Sequence, residues 1–251
     1  MTKKNIIAII ILSVLVICLG ILIVLNVIKI NSNYNQDASE VLNSSMYPDI
    51  EKVILPKTED AGDKYVNKLY FIGDSTTYHF KKAGIKESHL LVPDSYTLML
   101  DSSICDVIVD PTGLTIPESV KELNSEIVII TLGVNGADRF TESKFKTYYK
   151  KLINAISEAS PSTQIIIQSA FPIAKWFSDK DNGISNSGIN RLNMWAKEIA
   201  YEFDLPYLDT QSILKDSNGA MISKYDEGDG VHMNKEAYTL ILDYIKTHAL
   251  N

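Results

Sequence analysis

Two short runs constrain this chain more than any other feature: Glu126-Ile127-Val128-Ile129-Ile130-Thr131 and Gln164-Ile165-Ile166-Ile167-Gln168. Each is β-branched and apolar without alternation, the pattern of a strand buried on both faces. Residues 68–72 form a third compact run stopped by Gly73, residues 105–109 a weaker one, and residues 205–208 a short last one. Between these runs, apolar residues recur at intervals of three and four. Residues 142–159 space Phe145, Tyr148, Tyr149, Leu152, Ile153 and Ile156 in this way, and residues 188–203 do so with Ile189, Leu192, Trp195, Ala196 and Ile199. Residues 234–250 close the chain as a further helix. Strands alternating with helices of this length predict an α/β fold of three layers, a mostly parallel sheet sandwiched between helices. Sheets of this kind bind their ligands at the carboxyl ends of the strands.

The N-terminus follows a different rule. Residues 6–28 contain no charged side chain. As a helix they extend roughly 35 Å at ~1.5 Å per residue, enough for a bilayer core of about 30 Å. A cleaved secretory signal is the competing reading, but its apolar core is shorter, about 7–15 residues, and ends in a small-x-small site. Here the run ends in Val24-Leu25-Asn26-Val27-Ile28-Lys29, and Cys18 lacks the preceding small residue that a lipoprotein site needs. The expectation is one uncleaved transmembrane helix. Lys3 and Lys4 outweigh Lys29, which places the N-terminus in the cytoplasm and the C-terminal domain outside the cell. Residues 31–63, polar and without period, read as a stalk, in which the one apolar patch, at 50–55, is able to pack on the domain. The organisation expected is therefore anchor 1–30, stalk 31–63 and globular domain 64–251.

A formal net charge of −7 over 251 residues leaves no basic field to gather phosphates, which argues against nucleic acid as a partner. The two cysteines, Cys18 and Cys105, are split between the apolar run and the domain, and no Cys/His cluster has zinc-ligand spacing. Neither an intramolecular disulfide nor a metal is expected.

Three polar clusters fall at or near strand ends. Gly73-Asp74-Ser75-Thr76-Thr77 follows the 68–72 run and precedes a helix expected from Tyr78. A strand-to-helix turn can display a serine hydroxyl and aim backbone N–H groups at an oxyanion, or Ser75 or Thr76 can simply cap the helix. Gly133-Val134-Asn135-Gly136 follows the 126–131 run. Its amide can hold a developing oxyanion, or the pair can be an ordinary Asn-Gly turn. Asp229-Gly230-Val231-His232-Met233-Asn234 precedes the last helix. A carboxylate three residues before a histidine can fold back onto one ring nitrogen and free the other for a serine proton, or can cap a turn beside an exposed histidine.

In this order and placement the three blocks closely resemble those of the SGNH/GDSL hydrolases, over roughly residues 65–248. The resemblance implies a flavodoxin-like sheet and a serine esterase. By it, Ser75 is the nucleophile and an oxyanion N–H donor, Asn135 an oxyanion donor with Gly133 beside it, His232 the base and Asp229 its orienting partner. Two positions depart from the family pattern. Gly136 stands where aspartate usually follows the asparagine block, with Asp138 two residues on. The region expected to hold an oxyanion glycine reads Val92-Pro93-Asp94-Ser95-Tyr96-Thr97-Leu98, without glycine; a backbone N–H of Ser95 or Tyr96 can serve instead, with Gly113, nearer the next block, as a substitute.

His79, one helical turn past Ser75, is expected to project along the helix as a surface residue, and His89 and His248 have no acidic partner at useful spacing. Trp176 and Phe177 follow the 164–168 run and are expected at the rim of the same cleft, suited to sugar stacking or to covering the core. The activity implied is hydrolysis of a short acyl ester, O-acetyl above all, on cell-envelope carbohydrate, through an acyl-serine and without a cofactor. The alternative is a catalytically weak or inactive protein that keeps the scaffold to bind envelope polymer.

Overall fold

The computed structural model describes residues 46–110, 112–180 and 182–250. The chain divides into units 1–49 and 50–251, and the second holds the whole sheet. The apolar run 6–28, Cys18 and residues 31–45 of the expected stalk lie outside the described residues. Among the described residues no helix is long and apolar enough to cross a membrane.

In chain order the strands are β1 (Leu69–Gly73), β2 (Leu90–Leu91), β3 (Ile108–Val109), β4 (Leu114–Thr115), β5 (Ile127–Thr131), β6 (Gln164–Gln168) and β7 (Tyr207–Leu208). The helices are α1 (Gly62–Val66), α2 (Ser75–Tyr78), α3 (Ile116–Glu122), α4 (Glu142–Ala159), α5 (Lys175–Ser178), α6 (Asn186–Phe203) and α7 (Lys235–Lys246). Five strands form one all-parallel sheet in the order β2-β1-β5-β6-β7. Counted among themselves they run 2-1-3-4-5, the flavodoxin-like order, with the topological switch between β1 and β5. The register sets Gly73 opposite Thr131, so β1 and β5 end level at that switch.

Both faces of the sheet are covered, which explains the unbroken apolar runs. On one face Ile72, Val128, Ile130, Ile165 and Ile167 pack beneath α3, α4 and α6 through Val120, Phe145, Leu152, Ile189 and Leu192. On the other, Leu69, Phe71, Ile127, Ile129 and Ile166 meet Ala237, Tyr238, Ile241 and Ile245 of α7. Successive strand residues thus alternate between two dry layers. The long helices start where short polar side chains accept the first free amides: Thr141 from Lys144, Ser185 from Gly188 and Asn234 from Ala237.

Several elements differ from the sequence expectation. The 105–109 run is no strand of the main sheet. Asp101 Oδ1 accepts from the backbone N–H and the hydroxyl of Ser103 (2.8 and 2.6 Å), which folds Ile104–Asp106 into a 3₁₀ turn. Only Ile108–Val109 is extended, and it pairs antiparallel with β4 outside the sheet. The edge strand β2, two residues long, is too short to carry a periodic signal. The last helix stops at Lys246, and the helix after Gly73 begins at Ser75 rather than Tyr78. Within the stretch read as stalk, residues 50–61 bind to the domain: Leu55 N–H donates to Tyr207 O (2.9 Å), Thr58 to Thr247 O (2.7 Å) and Ala61 to Lys246 O (3.0 Å).

The two-sided burial of β5 sets a stability test. Ile130→Ala should cost about 2–5 kcal/mol in urea unfolding. Ile108→Ala, at a side chain 54% exposed, should stay within about 0.5 kcal/mol.

Candidate active site

β1 delivers its last residue, Gly73, into a space no other residue fits. A Cβ there would lie 2.0 Å from Thr77 Oγ1 and 2.7 Å from Thr131 O. Asp74 follows in extended conformation and caps α2, its Oδ1 accepting from the Thr76 N–H (2.9 Å) and the Thr76 hydroxyl (2.7 Å). Because the aspartate is the cap, Ser75 becomes the first helical residue and its hydroxyl is not used for capping. The turn is held from behind by Tyr238 of α7, whose buried hydroxyl donates to Thr76 O at 2.6 Å.

At the end of β5, Gly136 adopts φ 78° and opens a short 3₁₀ turn, so the Asn-Gly pair is a turn. It is also more than a turn. Asn135 Nδ2 donates to Asp74 Oδ2 at 3.1 Å, which ties the β5 loop to the β1 loop across the switch point. One amide hydrogen is thereby fixed on Asp74 and the other left to point elsewhere. Gly133, with φ 123°, is buried, and a Cβ there would meet Leu192 Cδ1 at 3.0 Å.

The third block closes on the first. Asp229 Oδ1 accepts from the N–H groups of Val231 and His232 (both 2.8 Å), folding the chain back on itself. Asp229 Oδ2 then meets His232 Nδ1 at 2.6 Å, and His232 Nε2 lies 2.8 Å from Ser75 Oγ. Residues 157 positions apart are thus joined through one imidazole. Such an arrangement fixes the tautomer with Nδ1 protonated and leaves Nε2 able to accept the hydroxyl proton.

The carboxylates differ in charge environment. Burial pushes Asp74 above the ordinary carboxylate range, against the hydrogen bonds from Thr76. Burial also pushes Asp229 upward, but hydrogen bonds from the His232 ring and from the His232 and Val231 amides outweigh it and hold Asp229 below its usual value.

His79 is a correction. Residues four apart share a helix face, so its ring comes to the same side as Ser75 and lies 4.7 Å from the His232 ring, centroid to centroid. Burial, followed by the charges of Lys82 and His232, depresses it to about 4. His89 and His248 have structural places instead, stacked on Tyr70 and Tyr244 with Nδ1 on a backbone carbonyl. Of the two loop residues considered as oxyanion donors, Tyr96 has its N–H committed to Pro93 O at 2.7 Å. Tyr96 has a backbone φ of 52°, and its ring lies against Tyr78, tilted by 32° with centroids 4.2 Å apart. Gly113 closes the β3–β4 turn, donating to Val109 O.

Sequence reasoning missed two supports. Asp74 positions the Asn135 amide, for which the only sequence signal was its place between Gly73 and Ser75. Asp226 braces the histidine turn: its Oδ1 accepts from Gly228 N–H and Gly230 N–H and its Oδ2 from the Trp176 indole, all at 2.9 Å. Among the described residues no cluster of three or more His, Cys, Asp or Glu side chains is placed to hold a metal.

Residues 71–240, more than half of the chain and spanning all three blocks, match the GDSL-like Lipase/Acylhydrolase family. The chain belongs to that family and is an ester hydrolase by class. No curated protein matches it. Among solved structures, a Streptococcus pneumonia protein provisionally assigned as a platelet activating factor is 15% identical over 84% of this chain and 97% of its own, with a TM-score of 0.51, which shows the shared fold. A carbohydrate acetylesterase from Sinorhizobium meliloti is 16% identical, over 71% and 95% of the two chains, with a TM-score of 0.48. A peptidoglycan O-acetylesterase is 14% identical over 52% of this chain, with a TM-score of 0.43, and the match spans only 38% of that protein's length.

The state of His79 makes stability acid-sensitive. An unfolded histidine titrates near 6.5 and the folded one near 4, so the folded state binds fewer protons between these values. Stability from this group is fully present above pH 6.5 and is lost as pH falls towards 4. His79→Gln should flatten the fall in urea midpoint across that window relative to the parent, both followed by circular dichroism.

Proposed function

We propose that Ser75, His232 and Asp229 form the catalytic triad of an esterase that removes short acyl groups, O-acetyl above all, from cell-envelope carbohydrate. The observation that carries the reading is the unbroken hydrogen-bonded series Asp229–His232–Ser75 at 2.6 and 2.8 Å. Ser75 Oγ attacks the ester carbonyl carbon while His232 Nε2 takes its proton. The oxyanion of the tetrahedral intermediate is held by the second Asn135 amide hydrogen and the Ser75 N–H. Collapse breaks the C–O bond, and the departing alcohol takes the proton from His232. Water, deprotonated by the same nitrogen, then attacks the acyl-Ser75 and releases the carboxylic acid. Asp229, held ionised by its hydrogen bonds, stabilises the imidazolium formed in each half. With the Tyr96 N–H committed to Pro93 O, the Ser95 N–H is the remaining candidate for a further oxyanion donor.

Placement outside the cell rests on the lysine-flanked apolar run at 6–28, and the carbohydrate ester on that placement and on the acetylesterases with a related fold. The alternative, a scaffold that binds without turnover, draws on Tyr96 replacing the loop glycine. The Tyr96 ring lies tilted against Tyr78 and leaves Ser75 in contact with His232, which favours turnover.

Hydrolysis of 4-nitrophenyl acetate by the purified protein tests the assignment. Ser75→Ala and His232→Ala should each lower kcat by about 10³-fold or more, and Asn135→Ala by roughly 10²–10³-fold. Rates in both triad variants equal to the parent's would refute the triad.

A further inference from the structure

A cleft of about 400 Å³ lies beside the histidine turn, lined by Lys175, Trp176, Asp179, Asp216, Ser223 and Asp226 among others. Its volume is within the range of about 300–1,000 Å³ typical of small-molecule sites. Trp176 is 46% exposed, an unusual place for so large an apolar surface. An indole left on the surface by chance has no reason to be fixed, and this one is fixed twice. Its Nε1 donates to Asp226 Oδ2 at 2.9 Å. Gly230, which has φ 84°, has no room for a Cβ beneath the pair, since one would lie 2.5 Å from Phe177 Cβ and 2.9 Å from Trp176 Cζ2. The same Asp226 accepts from the Gly228 and Gly230 amides, and Ala174 N–H donates to Gly230 O at 2.8 Å. The indole is therefore held in a set position relative to Asp229 and His232.

Around it the cleft mixes the apolar side chains of Ala174 and Met221 with three carboxylates. Asp179 is paired with Lys175 at 2.9 Å, and Asp216 caps its own loop through the Asn218 and Ala220 amides. Carboxylates of this kind accept hydrogen bonds from hydroxyl groups and repel phosphate polymers. The Lys180 ammonium, 4.4 Å from the indole centroid, is on an exposed flexible stem and is displaceable.

We propose that this cleft is a glycan subsite, in which Trp176 carries the apolar face of a pyranose ring and the surrounding carboxylates take its hydroxyls. A sugar chain seated there holds an acyl-bearing neighbour towards Ser75. The proposal rests on the esterase reading for its consequence but not for its binding. It makes the favoured substrate an acylated, uncharged oligosaccharide rather than a small ester or a polyanionic polymer.

Binding is tested on the whole protein with tetramers of N-acetylglucosamine and of xylose that carry no O-acyl ester, followed by tryptophan emission. The chain has two tryptophans, and Trp195 is buried. A saturable blue shift in the parent that persists in Trp195→Phe places the sugar at Trp176. With an acetylated xylotetraose as substrate, Trp176→Ala should raise KM by about tenfold, and Trp176→Phe should recover part of the loss. No saturable shift with either tetramer at roughly 10 mM, or a shift only with a glycerol-phosphate polymer, overturns the subsite even if 4-nitrophenyl acetate is hydrolysed. Saturable sugar binding in a protein that hydrolyses no ester upholds the subsite and defeats the esterase reading instead.

Discussion

The hydrogen bond from Asn135 to Asp74 is the interaction on which the rest of the site depends. It exists because β1 and β5 are adjacent, parallel and level, with Gly73 opposite Thr131. The carboxylate that receives it is buried, which is costly for a charge unless its oxygens are satisfied. Here one oxygen holds the first turn of α2 and the other holds the β5 loop. The orientation of Ser75 and the aim of the Asn135 amide are consequently set by one side chain. Neither could shift without leaving a buried carboxylate oxygen unpaired.

The second half of the site arrives from the far end of the chain and is fastened from several sides. Tyr238 anchors α7 to the turn that carries Ser75, and Lys82 donates to Met233 O at 3.0 Å while pairing with Glu227. Glu227 N–H in turn donates to His232 O at 3.0 Å. The histidine is thus fixed by its backbone as well as by Asp229. This preorganisation is what lets a serine hydroxyl act as a nucleophile without large reorganisation during reaction.

Much of this was legible in the sequence. The β5 and β6 runs announced two-sided burial, and the bounds of α4 followed from the spacing of Phe145, Leu152 and Ile156, because long elements repeat their period several times. Gly-Asp-Ser, Gly-x-Asn and Asp-x-x-His each had an ordinary structural explanation. Their order along alternating strands and helices removed the ambiguity, since a parallel sheet gathers its strand ends on one edge. What stayed hidden was carried by contacts without a local signature. Strand β2 has two residues, and Ser103 turned the 105–109 run aside through a side-chain bond. The approach of His79 to His232 depends on where α7 begins, and the roles of Asp74 and Asp226 need partners 61 and 50 positions away.

The segment 50–61 has a consequence for how the molecule behaves among its copies. Strand β7 ends the sheet, and an uncovered edge offers its amides and carbonyls to any passing strand. Ile54 bridges to Tyr207 in parallel and Leu55 takes the Tyr207 carbonyl, while Thr58 and Ala61 fasten the same segment to the end of α7. The segment therefore acts as a cover strip for the sheet's open side. A version cut at residue 64 would keep every residue of the candidate site and yet open that edge to pairing with other copies.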